Sequence, residues 1–273
     1  MNLSIGLVVE SFIDFLLINF GPLFALIAQI VGGFMGGVES LILSLPPIVL
    51  IIVFALVAYL LADKKVALFT IIGFLLIFSM GLWIVTMQTF VMVLVSASIA
   101  LFLGIPIGII MSGNKFLDDF LTPALDFMQT MPPFVYLIPA VMFFGIGNVP
   151  GVMATVVFSM PPAIRLTKLG LKQVPDELEE VGTSFGSTPL QMLVKIKLPL
   201  ALPSIMAGIN QSIMLSLSMV VIASMIGANG LGEAVLTGIQ RMQIGIGFEA
   251  GLAVVILAIV LDRITSGIGQ SKA

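Results

Sequence analysis

VALFTIIGFLLIFSMGLWIVTMQTFVMVLVSASIALFLGIPIGIIMSGN, residues 66–114, runs for 49 residues without a charged side chain. About 18 apolar, uncharged residues suffice to cross roughly 30 Å of hydrocarbon. This stretch therefore holds two crossings. Outward from it, residues 40–62, 127–164 and 198–232 are also free of charge. Only helices and closed barrels satisfy their backbone inside lipid, and these continuous runs lack the alternation of a barrel strand. The fold class is all-α, a polytopic membrane protein. Composition agrees: 59% of residues are apolar and 9% charged, against about 25% charged in a soluble domain.

The clearest crossings are 46–62, 66–83, 88–111, 134–147, 152–169, 200–226 and 250–261, about seven in all. Basic residues set the orientation. With 165–197 inside, Lys64, Lys65, Lys115, Arg263 and Lys272 also fall inside and only Arg241 lies outside, so ten of 11 basic residues agree. The C-terminus is expected in the cytoplasm. Residues 1–40, broken at Gly21–Pro22, Gly32–Gly33 and Gly36–Gly37, read as an amphipathic segment lying in the outer interface with the N-terminus outside, the alternative being an eighth crossing. The chain then divides into 41–83, the first two transmembrane helices; 84–263, the core, with a cytoplasmic region at 171–198; and a cytoplasmic tail at 264–273. Cys and His are absent, which removes disulfides and the commonest zinc ligand. No metal site is expected.

The longest polar interruption is PDELEEVGTSFGSTPLQMLVKIKLP, residues 175–199. Pro175 suits a first helical position, and Asp176, Glu177, Glu179 and Glu180 follow where a helix dipole favours negative charge. Leu178, Val181 and Phe185 share one face. Gly182 and Gly186 are expected to loosen a bend. Thr188, Pro189 and Gln191 then spell a capping box opening a second helix, and Pro199 returns the chain to the membrane. A 25-residue loop with two capped helices exceeds what neighbouring spans need, and its shape is that of a docking surface.

Glu180-x5-Gly186-x9-Ile196-x-Leu198-Pro199 resembles the cytoplasmic E-A-A-x3-G-x9-I-x-L-P motif of permeases in bacterial ABC importers, with Val181 and Gly182 in place of the two alanines. LDFMQTMPPFVYLIPAVMFFGIGNVPGV, FSMPPAIRLTKLGLKQVP and AGINQSIMLSLSMVVIASMIGANGLG resemble the permease of glycine betaine and compatible-solute importers, over roughly residues 41–263. The resemblance implies a type I ABC importer permease fold with a cytoplasmic coupling helix, in the bacterial inner membrane. It implies a second permease copy, cytoplasmic ATPase subunits carrying ATP and Mg, an extracellular substrate-binding protein, and no nucleic acid. Glu179, Glu180, Val181, Gly182, Phe185, Gly186, Ile196, Leu198 and Pro199 would form the ATPase-coupling surface.

The chain has no G-x-x-x-x-G-K-[ST] phosphate loop, hence no ATP site or cofactor of its own, and is not itself an enzyme. A secondary transporter would need ionisable coupling groups in its spans, and the spans offer almost none. Choline, carnitine, proline or another amino acid remains an alternative cargo. Gln129, Thr130, Met131, Pro132 and Tyr136 form a polar, kinked approach to one span, and Asn210, Gln211, Ser212 and Ser216 place polar groups in another. These are candidate pathway residues, or equally helix-packing groups. Glu233, Arg241 and Glu249 are the outer charges available to a binding protein, or simply solvated surface.

Overall fold

The computed structural model describes residues 5–270; Lys272 and the end of the tail lie outside the described residues. Twelve helices occur among them: α1 (Ile5–Leu43), α2 (Pro47–Leu61), α3 (Lys64–Ser79), α4 (Trp83–Gly113), α5 (Lys115–Thr130), α6 (Leu137–Phe144), α7 (Asn148–Lys172), α8 (Asp176–Ser184), the single turn α9 (Pro189–Gln191), α10 (Leu198–Ala223), α11 (Leu231–Gln240) and α12 (Ile244–Gln270). Local chemistry sets several starts. Pro47 opens α2. Asp63 accepts the Val66 amide hydrogen at 2.8 Å to cap α3, and Asn114 accepts that of Leu117 at 3.1 Å to cap α5.

Five helical stretches are long and apolar enough to cross a membrane, or up to six if a bent pair makes one span. By length and composition, then, the structure does not clearly give the seven crossings expected. The segments expected at 46–62 and 66–83 form a hairpin of helices only 15 and 16 residues long, about 22–24 Å at the helical rise. The segment expected at 134–147 is a 3-10 turn (Pro133–Tyr136) followed by the eight-residue α6, bent 111° from α5. Pro132 and Pro133 cause this break: each lacks an amide hydrogen, and the residue before a proline is driven to extended backbone, as Met131 is. The breaks expected before residue 40 are absent among the described residues. α1 is continuous through Gly21, Pro22 and the later glycine pairs.

α4, α7 and α10 form the centre, with α7 in the middle. A Cβ at Gly108 would lie 2.6 Å from the Ile164 carbonyl, and one at Gly208 3.2 Å from that of Pro162. Backbones that close need small residues, the usual means of helix packing where lipid removes the hydrophobic drive. The hairpin α2–α3 packs on this centre through rings: Phe54 meets Phe74 and Phe90 edge-on at 5.1 and 4.9 Å, and Phe74 meets Trp83 at 6.0 Å.

Candidate functional site

The interruption at 175–199 folds as a two-part elbow between α7 and α10. Pro175 is the N-cap of α8, one position before its expected place, and Asp176, Glu177 and Glu179 occupy the first turn. The helix ends in a Schellman arrangement: the Ser187 amide donates to the Gly182 carbonyl at 3.0 Å and the Gly186 amide to that of Thr183 at 2.9 Å. Gly186 stands at φ +76°, a left-handed conformation that costs other residues about 1–2 kcal/mol. Thr188 and Gln191 make the expected reciprocal capping box.

Gly182 does not loosen the bend. It is buried, and a Cβ there would stand 2.7 Å from both Met192 and Ile196, so it is the seat on which the returning chain rests. The returning chain is itself unusual: Met192–Lys197 is π-helical, with the Leu198 amide donating to the Leu193 carbonyl. Such turns are rare and occur mostly at functional sites. Lys197 pairs with Glu179 at 2.6 Å across the elbow. Glu180 is exposed, Pro199 lies exposed in the first turn of α10, and Ile196 and Leu198 are half-buried. Leu178, Val181, Leu190 and Val194 are exposed apolar side chains, and Phe185 is 86% exposed. Together they form an apolar surface bordered by carboxylates.

Beside the elbow, α5 is strapped to α7 by charges. Lys168 and Lys172 pair with Asp118 at 2.7 and 2.5 Å, and Arg165 with Asp126 at 2.5 Å. The two ammonium groups hold the Asp118 carboxyl, in the polar first turn of α5, well below the usual carboxylate range.

The candidate pathway residues do not form one cluster. Gln129 and Gln211 are exposed. Thr130 turns back to the Phe127 carbonyl, Met131 caps α5 and Pro132 precedes the 3-10 turn. Tyr136 is buried, its hydroxyl donating to the Met128 carbonyl. Asn210 donates to Asp262 at 2.9 Å and accepts from Thr265 at 2.6 Å, joining α10 to α12. Ser212 and Ser216 are buried; Ser216 donates to the Ser212 carbonyl, and the Ser212 hydroxyl has no partner among the described residues. Asp262 escaped sequence reading because the span appeared to stop at 261, whereas α12 continues to Gln270.

On the opposite face, the α6–α7 loop and the α10–α11 loop interlock. Gly145, Gly147, Gly227 and Gly230 all have positive φ. The Gly147 amide donates to the Ile226 carbonyl at 3.0 Å, the Asn229 amide to the Asn148 side chain at 2.7 Å, and the Leu231 amide to the Thr89 hydroxyl at 2.8 Å. Glu233, Arg241 and Glu249 are exposed on the α11–α12 hairpin next to these loops, and none pairs with another charge among the described residues.

Spans, central glycine-packed bundle and projecting elbow define a multi-pass α-helical membrane subunit. Residues 100–271 match the family described as binding-protein-dependent transport system inner membrane component, and the chain belongs to that family. It is 50% identical to the glycine betaine transport system permease protein OpuAB of Bacillus subtilis, over 97% of this chain and 94% of that one. It is 46% identical to the glycine betaine/proline betaine transport system permease protein ProW of Escherichia coli, over 95% and 73%, and 49% identical to the glycine betaine/carnitine transport permease protein GbuB of Listeria monocytogenes, over 93% and 92%. The fold is similar to the inward-facing MetNI methionine ABC transporter, with a TM-score of 0.63 at 21% identity over 69% of this chain and 94% of that one. The chain is thus a non-catalytic permease subunit of the bacterial inner membrane.

Proposed function

We propose that this subunit forms the membrane route of an ATP-driven importer for glycine betaine or a related compatible solute handed over by an extracellular binding protein. What carries the reading is the near full-length likeness at 46–50% identity to three permeases whose names all include glycine betaine. The subunit works as a homodimer, each copy resting on an ATPase. Phe185, Val181 and Leu178, with Glu179 and Glu180 at their edge, enter the ATPase groove; Gly182, Gly186 and Ile196 set the elbow's shape; Leu198 and Pro199 pass its motion into α10. A stiff joint is the physical requirement, and the capping box, the Schellman end and the Glu179–Lys197 pair supply stiffness. Gln129, Thr130, Pro132 and Gln211 are the candidate pathway residues left exposed; the tied ones, Asn210, Ser216 and Tyr136, position helices. Glu233, Arg241 and Glu249 meet the binding protein.

The same reading lays α1 along the outer surface, with the N-terminus outside. Phe24 stacks on Phe143 at 4.6 Å, Gly32 passes Val149, and Glu39 accepts from Gln88 at 2.9 Å. Phe143 and Val149 flank the outer α6–α7 loop, and Gln88 lies in the second turn of α4. Residues 24–39, about 22 Å of helix, thus run across the outer ends of the bundle. Cargo is tested by uptake of labelled glycine betaine into vesicles holding the complete complex, against excess choline, carnitine and proline. Strongest competition by unlabelled glycine betaine is expected; dominance of another competitor reassigns the cargo.

A further inference from the structure

The basic residues of the cytoplasmic side fall into two groups. Arg165, Lys168, Lys172 and Lys197 are each paired with a carboxylate at 2.5–2.7 Å. Lys64, Lys65, Lys115, Lys195 and Arg263 are not. None of these four lysines makes an ion pair among the described residues, and Arg263 approaches only its own neighbour Asp262, at 3.9 Å, beyond hydrogen-bond reach. Asn210 bonds the other carboxylate oxygen of Asp262.

Arg263 lines a pocket, and Lys64 and Lys65 lie beside it in the chain without lining it. The pocket, of about 360 Å³, opens between the α2–α3 turn and the last turns of α12 and is lined by Leu60, Leu61, Asp63, Val66, Arg263 and Ser266 among others. Lys64 and Lys65 stand between Asp63 and Val66 in the first turn of α3, and both are exposed. The one carboxylate in the lining, Asp63, already accepts the Val66 amide hydrogen. Its charge is directed at the start of α3. The Arg263 side chain is 63% exposed, with its guanidinium fork free for bidentate contact with a phosphate. A Cβ at Gly267 would run into the Leu61 carbonyl, so α12 and the hairpin are in near backbone contact beside the pocket. One wall is polar and the other leucine, and Leu60 in that wall is an exposed apolar side chain.

We propose that this pocket binds the phosphate of an anionic phospholipid in the cytoplasmic leaflet. Arg263 grips the phosphate, Ser266 donates a hydrogen bond, Lys64 and Lys65 add attraction, and Leu60 and Leu61 face the glycerol and first acyl carbons. The polarity gradient favours a lipid over a free anion, since a phosphate ion gains nothing from the leucine wall.

The full chain, assembled with its partner subunits, is placed in nanodiscs of phosphatidylcholine containing a minority of phosphatidylglycerol. Lipid retained after release into detergent is counted by native mass spectrometry, beside the melting temperature. Selective retention of phosphatidylglycerol is expected. It should fall about fivefold in R263Q and roughly a hundredfold in K64Q/K65Q/R263Q, as expected for each basic residue removed near a charged surface. R263K, which keeps charge but loses the fork, falls between wild type and R263Q, and K195Q, an exposed cation on the elbow, matches wild type. All three substituted side chains are exposed, so folding is expected to survive, and the melting temperature in pure phosphatidylcholine checks this. Equal retention of phosphatidylcholine, undiminished retention in the triple variant, or equal protection by inorganic phosphate in detergent would each overturn the proposal.

Discussion

At its cytoplasmic end α10 grows out of a small projection held by few side chains, whereas at its outer end it runs into loops that close on one another. The outer loops satisfy their own backbone: Thr89, Asn148 and the Ile226 carbonyl take up three amide hydrogens, and four glycines adopt conformations other residues avoid. The elbow satisfies its helix ends just as fully, through the capping box and the Schellman turn, yet leaves Phe185 and four aliphatic side chains in the open. The loop amides named above find acceptors at both ends, and both ends also leave apolar side chains exposed: Ile146 and Met225 in the outer loops, Phe185 and its neighbours on the elbow. A surface whose hydrogen bonds are finished and whose apolar area is not is built to be covered from outside the chain.

The largest effect is expected at the closed end. Gly232 approaches the Val221 backbone so tightly that a Cβ would collide with it. G232V should cost about 3 kcal/mol or more by overpacking, read as loss of monodisperse protein in detergent; near-normal yield would break the picture of a self-closed outer end. T89V comes next. It removes the acceptor of the buried Leu231 amide and should cost about 1–3 kcal/mol for an unsatisfied donor, seen as a lowered melting temperature. At the open end, G186V strains a residue at φ +76° by about 1–2 kcal/mol. That strain stays within the elbow. The expected result is a folded complex in which solute-stimulated ATP hydrolysis and uptake are both lost, and wild-type levels of both would contradict the coupling role. F185A should change stability least, within about 0.5 kcal/mol for a surface position. It should still weaken retention of the ATPase subunit during purification. Normal retention would place the docking surface elsewhere.

Much of the elbow was legible beforehand because its signals are local. A threonine three residues before a glutamine, with a proline between, has one economical conformation, and a cluster of acids after a proline marks a helix start. The basic residues likewise declare a side of the membrane one by one. Gly182 was misread because its role depends on Met192 and Ile196 arriving opposite it, at a register the π-helical turn decides. Asn210 stood open between pathway and packing until Asp262 and Thr265, more than fifty residues away, appeared beside it. The seven expected segments do not map one to one onto the five or six long apolar stretches for a related reason. Hydropathy records that a stretch tolerates lipid, not that its helix is long enough or straight enough to cross.

The amino-acid sequence by itself determined the solvent this protein lives in, the helix ends of the elbow and, through the spacing from Glu180 to Pro199, its kinship. Those properties depend on the free energy of single residues or short windows in water or lipid. The tertiary structure alone decided which glycines are contact points, which polar side chains are spent on neighbouring helices and that Arg263 lines the α12 pocket. Each of these is settled by what stands a few ångströms away across the fold, and distance along the chain carries no record of it.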